Sequence, residues 1–398
     1  MKKIVSLLLV LAMMLALAAC GTPAPETTAP AETTTPAAES NPVESTPETT
    51  APAVSDVEYK IAMITDYGDI TDQSFNQTTY EACKAFADEN GVPFTYYKPS
   101  GDSTAERVAM VDAAVVDGYN VIVMPGFAFG ETLVEVADAY PEIKFVALDV
   151  ADGEGGFTAT ENVFSAVYQE QLSGYMAGYA AVKLGYKHLG YLGGMAVPAV
   201  QRFGYGFLQG VDAAAKELGI VDQIKVEYVY GNQFYGDADI TAVMDTWYGE
   251  KGVECVFACG GGIWSSAAEA AAKVGGKVIG VDVDQAAIID GQYGEGMTVT
   301  SAMKGLAPTV NTLLTAIVLE DNWAAYAGKI KTLGLVSADP EANYVQIPMA
   351  STQFAEGFTA EDYSALVAAM FEGTVTVSGD IAEFPVTEVV VEQYPNIK

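Results

Sequence analysis

From about residue 57 onward the chain alternates short apolar runs with longer stretches in which apolar positions recur every three or four residues. The first kind reads as buried strand and the second as amphipathic helix. Residues 58–65 predict a strand, and a helix follows from about Asp72 to Asn90 with Phe75, Ala82 and Phe86 on one face. Strands near 93–97, 121–124 and 143–149 are separated by helices over 103–118 and 129–139. Repeated β-α-β of this kind builds a parallel sheet with helices on both faces. After the glycine-rich break at 153–156 the pattern restarts: helix 164–184, strand 188–193, helix 198–218, strand 224–230, helix 237–250, strand 253–258, helix 263–273 and strand 277–281. Two similar α/β lobes, doubly wound and Rossmann-like, are expected. Later segments (strand 297–303, helix 305–321, then 329–335 and 344–348) continue neither half simply, and a chain that crosses back between lobes accounts for them. A helix over 359–370 and a strand over 386–391 close the chain.

The N-terminus follows different rules. Lys2 and Lys3 precede an apolar run from Ile4 to Ala16, and Leu17-Ala18-Ala19-Cys20 follows it directly. So short a run ending in small residues predicts a lipoprotein signal peptide over 1–19, with Cys20 acylated as the first mature residue. The protein is then expected on the extracytoplasmic face of the cell membrane, anchored by lipid and spanning nothing. Residues 20–56 are almost only Thr, Pro, Ala, Glu and Ser, with seven of the chain's 17 prolines. Too little apolar surface is present to offset ordering entropy, so a disordered linker is expected. As coil it would reach roughly 30 Å, and as polyproline II about 110 Å.

Charge narrows the partners. Without Lys2 and Lys3 the chain carries 17 basic against 52 acidic residues, a net −35 with His neutral. Such a field repels nucleic acid and anionic lipid and disfavours phosphorylated metabolites, leaving a neutral or cationic partner. His188 is the only histidine and no Cys-x-x-Cys exists, so no metal site, cofactor or nucleophile–base catalysis is expected. Cys255 and Cys259, four residues apart on one strand, are about 13 Å apart and out of disulfide range.

Ligands of open α/β sheets bind beyond the carboxyl ends of the strands. Those ends carry Asp66, then Asp72-Gln73-Ser74-Phe75-Asn76, Asp149, Arg202-Phe203-Gly204-Tyr205-Gly206-Phe207, Gly260-Gly261-Gly262, Gly280-Val281-Asp282-Val283-Asp284-Gln285, and Thr300-Ser301 with Lys304. No Gly-Lys-Ser/Thr follows the glycine run, which disfavours a phosphate loop, and no GxGxxG follows the first strand, which disfavours a Rossmann dehydrogenase.

In these motifs, in this order and behind a lipobox, the chain resembles the basic membrane protein family, lipoproteins that serve as nucleoside-binding subunits of ABC importers. The likeness runs from Val57 to about Pro348. It implies a type I periplasmic-binding-protein fold, two lobes joined by three crossovers and closing around ligand, with 57–160 and 284–321 in the N-terminal lobe and 161–283 and 322–398 in the C-terminal lobe. A monomer that captures a purine nucleoside and hands it to a permease is expected. Phe75 and Phe203 would sandwich the base, with Asn76 and Asp149 at its edge, and Asp66 is a further expected ligand residue. Asp282 would take both ribose hydroxyl protons, with Lys304 donating to the same sugar, and Gly260 and Gly261 would let backbone approach the ligand. Asp284 is expected to cap the next short helix. A sugar receptor of the same fold remains an alternative, since an aromatic sandwich serves sugars too. A nucleoside-processing enzyme would need acid-base groups or a metal that the chain does not offer.

Overall fold

The computed structural model describes residues 57–398 apart from Tyr67. The expected signal peptide 1–19, the acylation site Cys20 and the linker 20–56 lie outside the described residues. In chain order, β1 (Ile61–Ile64), α1 (Phe75–Asn90), β2 (Phe94–Tyr97), α2 (Thr104–Val116), β3 (Val121–Pro125), α3 (Phe129–Val136), β4 (Lys144–Leu148) and β5 (Val163–Tyr168) build the first lobe. The second takes α4 (Glu170–Lys183), β6 (His188–Gly193), α5 (Pro198–Leu218), β7 (Lys225–Tyr230), α6 (Ala238–Asp245), β8 (Cys255–Cys259), α7 (Trp264–Ala272), β9 (Lys277–Asp282), α8 (Ala286–Tyr293) and β10 (Thr298–Lys304). Thereafter α9 (Leu306–Leu314) and β11 (Lys329–Leu333) return to the first lobe, and β12 (Val345–Gln346), α10 (Ala360–Phe371) and β13 (Val390–Gln393) to the second.

The sheets run β11-β5-β4-β3-β1-β2 and β12-β10-β9-β8-β6-β7-β13, with every pairing parallel except β10 with β12. Strands such as β1, β3 and β8 are buried along their whole length, because helices cover both faces. The chain crosses between lobes three times, at Gln169, at Gly305 and over residues 334–344. The crossings are tied together: Gln169 N–H donates to the Leu333 carbonyl at 2.9 Å, Gly305 N–H to Tyr344 at 2.7 Å, and Tyr344 N–H to Gly334 at 3.1 Å.

The expected partition of the chain is corrected at several points. Residues 163–168, expected at the start of helix 164–184, form β5 of the first sheet instead, since this run of β-branched and aromatic residues is buried between β4 and β11. β10 and α8, expected in the N-terminal lobe, belong to the second, where β10 pairs with β9 and Ile289 of α8 joins the cluster of Val256 and Trp247. β11, expected in the C-terminal lobe, pairs with β5 at the edge of the first sheet. Of residues 284–321, only the segment from Leu306 packs on the first lobe, where Leu306, Val310 and Leu313 meet Ile61 and Phe86.

Two local features place the cleft residues. Asp72 ends the irregular loop after β1 by capping α1: Oδ1 accepts the backbone N–H of Ser74 at 2.9 Å and of Gln77 at 3.0 Å, and Oδ2 that of Asn76 at 2.9 Å. Helix α1 therefore starts at Phe75, later than the periodicity predicts. In the second lobe, α4 and α5 pack backbone to backbone. A Cβ on Gly206 would come within 2.1 Å of the Gln171 carbonyl oxygen, and one on Gly174 within 2.2 Å of that of Phe203, so only glycine fits at this crossing. No helix among the described residues is long and apolar enough to cross a membrane.

Candidate functional site

A cavity of about 1100 Å³ lies between the lobes, beyond the carboxyl ends of both sheets, and all nine expected ligand residues line it: Asp66, Phe75, Asn76, Asp149, Phe203, Gly260, Gly261, Asp282 and Lys304. Asp149 follows β4 and Asp282 ends β9. Both hold left-handed backbone, at φ 63° and 65°, a conformation that short carboxylate side chains tolerate better than most. Helix α1 supplies Phe75 and Asn76 from its first turn, and α5 supplies Phe203 from the segment that the glycine crossing fixes.

Lys304, the last residue of β10, is the electrostatic centre. Its ammonium lies 2.5 Å from Asp149 Oδ2, 3.7 Å from Asp282 Oδ1 and 3.7 Å from Glu170 Oε1. Asp149, of the opposite lobe, is thus a closer partner than Asp282. Burial works against the charged lysine, yet the three carboxylates hold its pKa well above the ordinary value. Glu170, fully buried at the first crossover, accepts a 2.5 Å bond from Arg202 Nε through its other oxygen. Asp282 differs from its neighbours. Burial pushes its pKa up to about 6, against the pull of Lys304 and of a 2.7 Å hydrogen bond from Ser74 Oγ.

That Ser74 bond joins the lobes, as does the 3.0 Å bond from Gln285 Nε2 to the Gln73 carbonyl. The lobes are thus in direct contact across the cleft. Above Lys304 the ring centroids of Phe75, Phe203 and Tyr168 lie 4.6, 5.6 and 5.6 Å from the ammonium, a cation–π arrangement in which one charge is flanked by aromatic faces. Phe203 is also packed edge-on against Phe257, with centroids 6.0 Å apart.

Three of the residues that line this cavity each carry one buried polar atom with no hydrogen-bond partner in the protein: Asn76 Oδ1, Asp149 Oδ1 and Trp264 Nε1. The Asn76 amide nitrogen is spoken for, at 3.2 Å from Asp66 Oδ1 and 3.3 Å from Asp72 Oδ2, so its free oxygen is an acceptor. Gly68 and Gly126 make room for this cluster: a Cβ on Gly68 would meet Asn76 Nδ2 at 2.0 Å, and one on Gly126 would meet Asp66 Oδ2 at 2.2 Å. Asp284 bonds the Ala286 N–H at 3.1 Å, at the start of α8 as expected, and does not line the cavity. His188 lies away from the cavity, beside Glu227 at 2.9 Å. No group of three or more His, Cys, Asp or Glu that could hold a metal occurs among the described residues.

Sequence reasoning missed Trp264, Gln292, the 232–235 loop and the 98–102 loop of the cavity wall, as well as the Glu170–Arg202 pair behind it. Only Trp264 carried a sequence signal, an aromatic residue opening a helix two positions beyond three glycines.

The model of the Bmp family, described as ABC transporter substrate-binding protein PnrA-like, matches residues 59–338. The ABC transporter nucleoside-binding protein BmpA of Lactococcus lactis subsp. cremoris (strain MG1363) is 29% identical over 239 residues, 57% of this chain and 64% of that protein. The match thus spans just under two thirds of that relative. Basic membrane protein B of Borreliella afzelii (strain PKo) is 26% identical over 282 residues, 69% of this chain and 78% of that protein. Among solved structures, an ABC transporter solute-binding protein from Aeropyrum pernix K1 superposes with a TM-score of 0.62 at 24% identity, covering 80% of this chain and 87% of that one. That likeness establishes the fold, the type I periplasmic-binding fold.

Proposed function

The chain belongs to the Bmp family of PnrA-like ABC transporter substrate-binding proteins, and on that premise we propose that it captures a purine nucleoside in the interlobe cleft and delivers it to an ABC importer. It does so as a monomer, tethered to the extracytoplasmic face of the cell membrane through a lipid on Cys20. One observation carries the ligand class: Asn76 Oδ1 and Asp149 Oδ1 are buried acceptors without protein partners, beside aromatic rings from opposite lobes. Leaving such atoms unpaired is costly, so the ligand is expected to bring donors to them. A purine with an N1–H, as in inosine and guanosine, does so while stacking between Phe75 and Phe203. Asp282 then accepts from the ribose diol, and the Gly260-Gly261 backbone lies close against the sugar. The relative in Lactococcus lactis is named for nucleoside binding.

The role is read as capture rather than catalysis, because the family model and the Lactococcus lactis relative are of substrate-binding proteins. Mass spectrometry of ligand released from denatured, purified protein tests the reading: an intact purine nucleoside is expected, and a sugar in its place would overturn it. Inosine incubated with the protein should yield no hypoxanthine. For the anchor, Cys20→Ala should leave an unprocessed or released protein, and wild-type protein in the soluble fraction after detergent-free lysis would contradict the anchor.

A further inference from the structure

Trp264 opens α7 one residue after the glycine run, is 4% exposed and lines the cavity. Its ring packs edge-on against Tyr293, with centroids 6.4 Å apart, which fixes the indole in place. Nε1 is buried and finds no acceptor in the protein. An indole N–H donates and never accepts, so the cavity wall has a definite polarity. Its orphan acceptors, Asn76 Oδ1 and Asp149 Oδ1, belong to the first lobe, while Trp264 Nε1, on the second, is its one orphan side-chain donor among the described residues.

We propose that Trp264 is a specificity-determining residue whose indole N–H donates to the 5′-oxygen of the bound nucleoside. The inference rests on the purine-nucleoside reading above and deepens it. With the base edge held by Asn76 and Asp149 and the 2′,3′-diol by Asp282, the 5′-oxygen is the hydroxyl left unread. On that reading the Gly260-Gly261 backbone lies against the sugar, and the same run leads through Ile263 to Trp264 at the start of α7. The N-terminal end of that helix carries partial positive charge, which favours an acceptor at the same spot. Beside Trp264 the cavity wall continues through Ser265 and Gln292, so the 5′ position is not closed off. The arrangement also separates binding from stability. In the unligated protein the indole N–H is a buried donor with no partner, so it contributes nothing to the fold until ligand arrives.

Calorimetric titration of wild-type and Trp264→Phe protein with inosine and with 5′-deoxyinosine tests this. Wild type should bind 5′-deoxyinosine about 5- to 30-fold more weakly than inosine, and Trp264→Phe should weaken inosine by a similar factor. The two losses should not multiply, because both remove the same bond. The melting temperature of the unligated variant should be equal to wild type or higher. Inosine affinity unchanged by Trp264→Phe would overturn the proposal, as would a 5′-deoxyinosine penalty of equal size in both proteins. If the variant fails to fold, equal wild-type affinity for inosine and 5′-deoxyinosine overturns it without the variant. A wild-type protein that binds neither ligand removes the nucleoside reading of the whole cleft, and the role of Trp264 with it.

Discussion

At Lys304 three carboxylates converge on one buried ammonium, and the distances rank them: Asp149 at 2.5 Å, Asp282 and Glu170 at 3.7 Å. On the proposed nucleoside reading, Asp282→Ala therefore removes a ribose acceptor but leaves Lys304 paired. The expected cost is the lost hydrogen bonds alone, about 1–3 kcal/mol or roughly 5- to 150-fold in Kd. Asp284→Ala is the control, since that residue does not line the cavity, and an equal loss from both substitutions would sink the assignment. The raised pKa of Asp282, about 6, adds a pH signature. A buried acid with a raised pKa holds its proton below pH 6, and the protonated form gives up acceptor capacity toward the diol. Nucleoside affinity should accordingly be flat above pH 7 and fall about tenfold by pH 5, the factor by which the ionised fraction drops. Calorimetry across that range giving constant affinity would contradict it. The nine cavity residues were legible from the runs that follow the strand ends together with the family resemblance, which singled out Phe75, Asn76 and Phe203 on the helices beyond them. Which carboxylate pairs with Lys304 was not, since Asp149 arrives from the other lobe and only tertiary distances rank the partners.

Among the elements, those with a clean period were legible and those at the crossovers were not. Residues 163–168 carry apolar side chains at nearly every position, which suits a strand buried on both faces as well as a buried helix turn. Only the neighbouring β4 and β11 decide in favour of a strand. Likewise β10 reads as an apolar run wherever it is placed; its pairing with β9 is a long-range fact that local pattern does not encode. The Arg202 to Phe207 motif was legible as a motif, while the reason for its glycines was not. They let α5 lie against the backbone of α4, which holds Phe203 at the cleft. Gly206→Ala should then destabilise the protein by about 1–3 kcal/mol through overpacking against the Gln171 carbonyl and weaken ligand binding together with it. Thermal melting and titration of the same variant check this, and a stable variant with unchanged affinity would show that the helix crossing does not position Phe203.

For the molecule as a whole, two lobes are joined by crossings that hydrogen-bond to one another. Glu170 lies just after the first crossing and Lys304 just before the second, so the charged floor of the cleft is built into the hinge itself. Asp66, Asp72, Asp149 and Asp282 all line the cavity, and Lys304, its most buried cation, is already surrounded by carboxylates. The chain's formal net charge of −33 at pH 7 adds to the same field. A neutral nucleoside enters such a cleft without penalty, whereas a monophosphate brings up to two negative charges into it. Adenosine, with a lone pair in place of the N1–H, should bind several-fold to about a hundredfold more weakly than inosine. The most direct test of the account is a parallel calorimetric titration with inosine and inosine 5′-monophosphate at pH 7. Inosine should bind and the monophosphate should be at least about tenfold weaker; equal affinity for the two, or no binding of inosine, would contradict it.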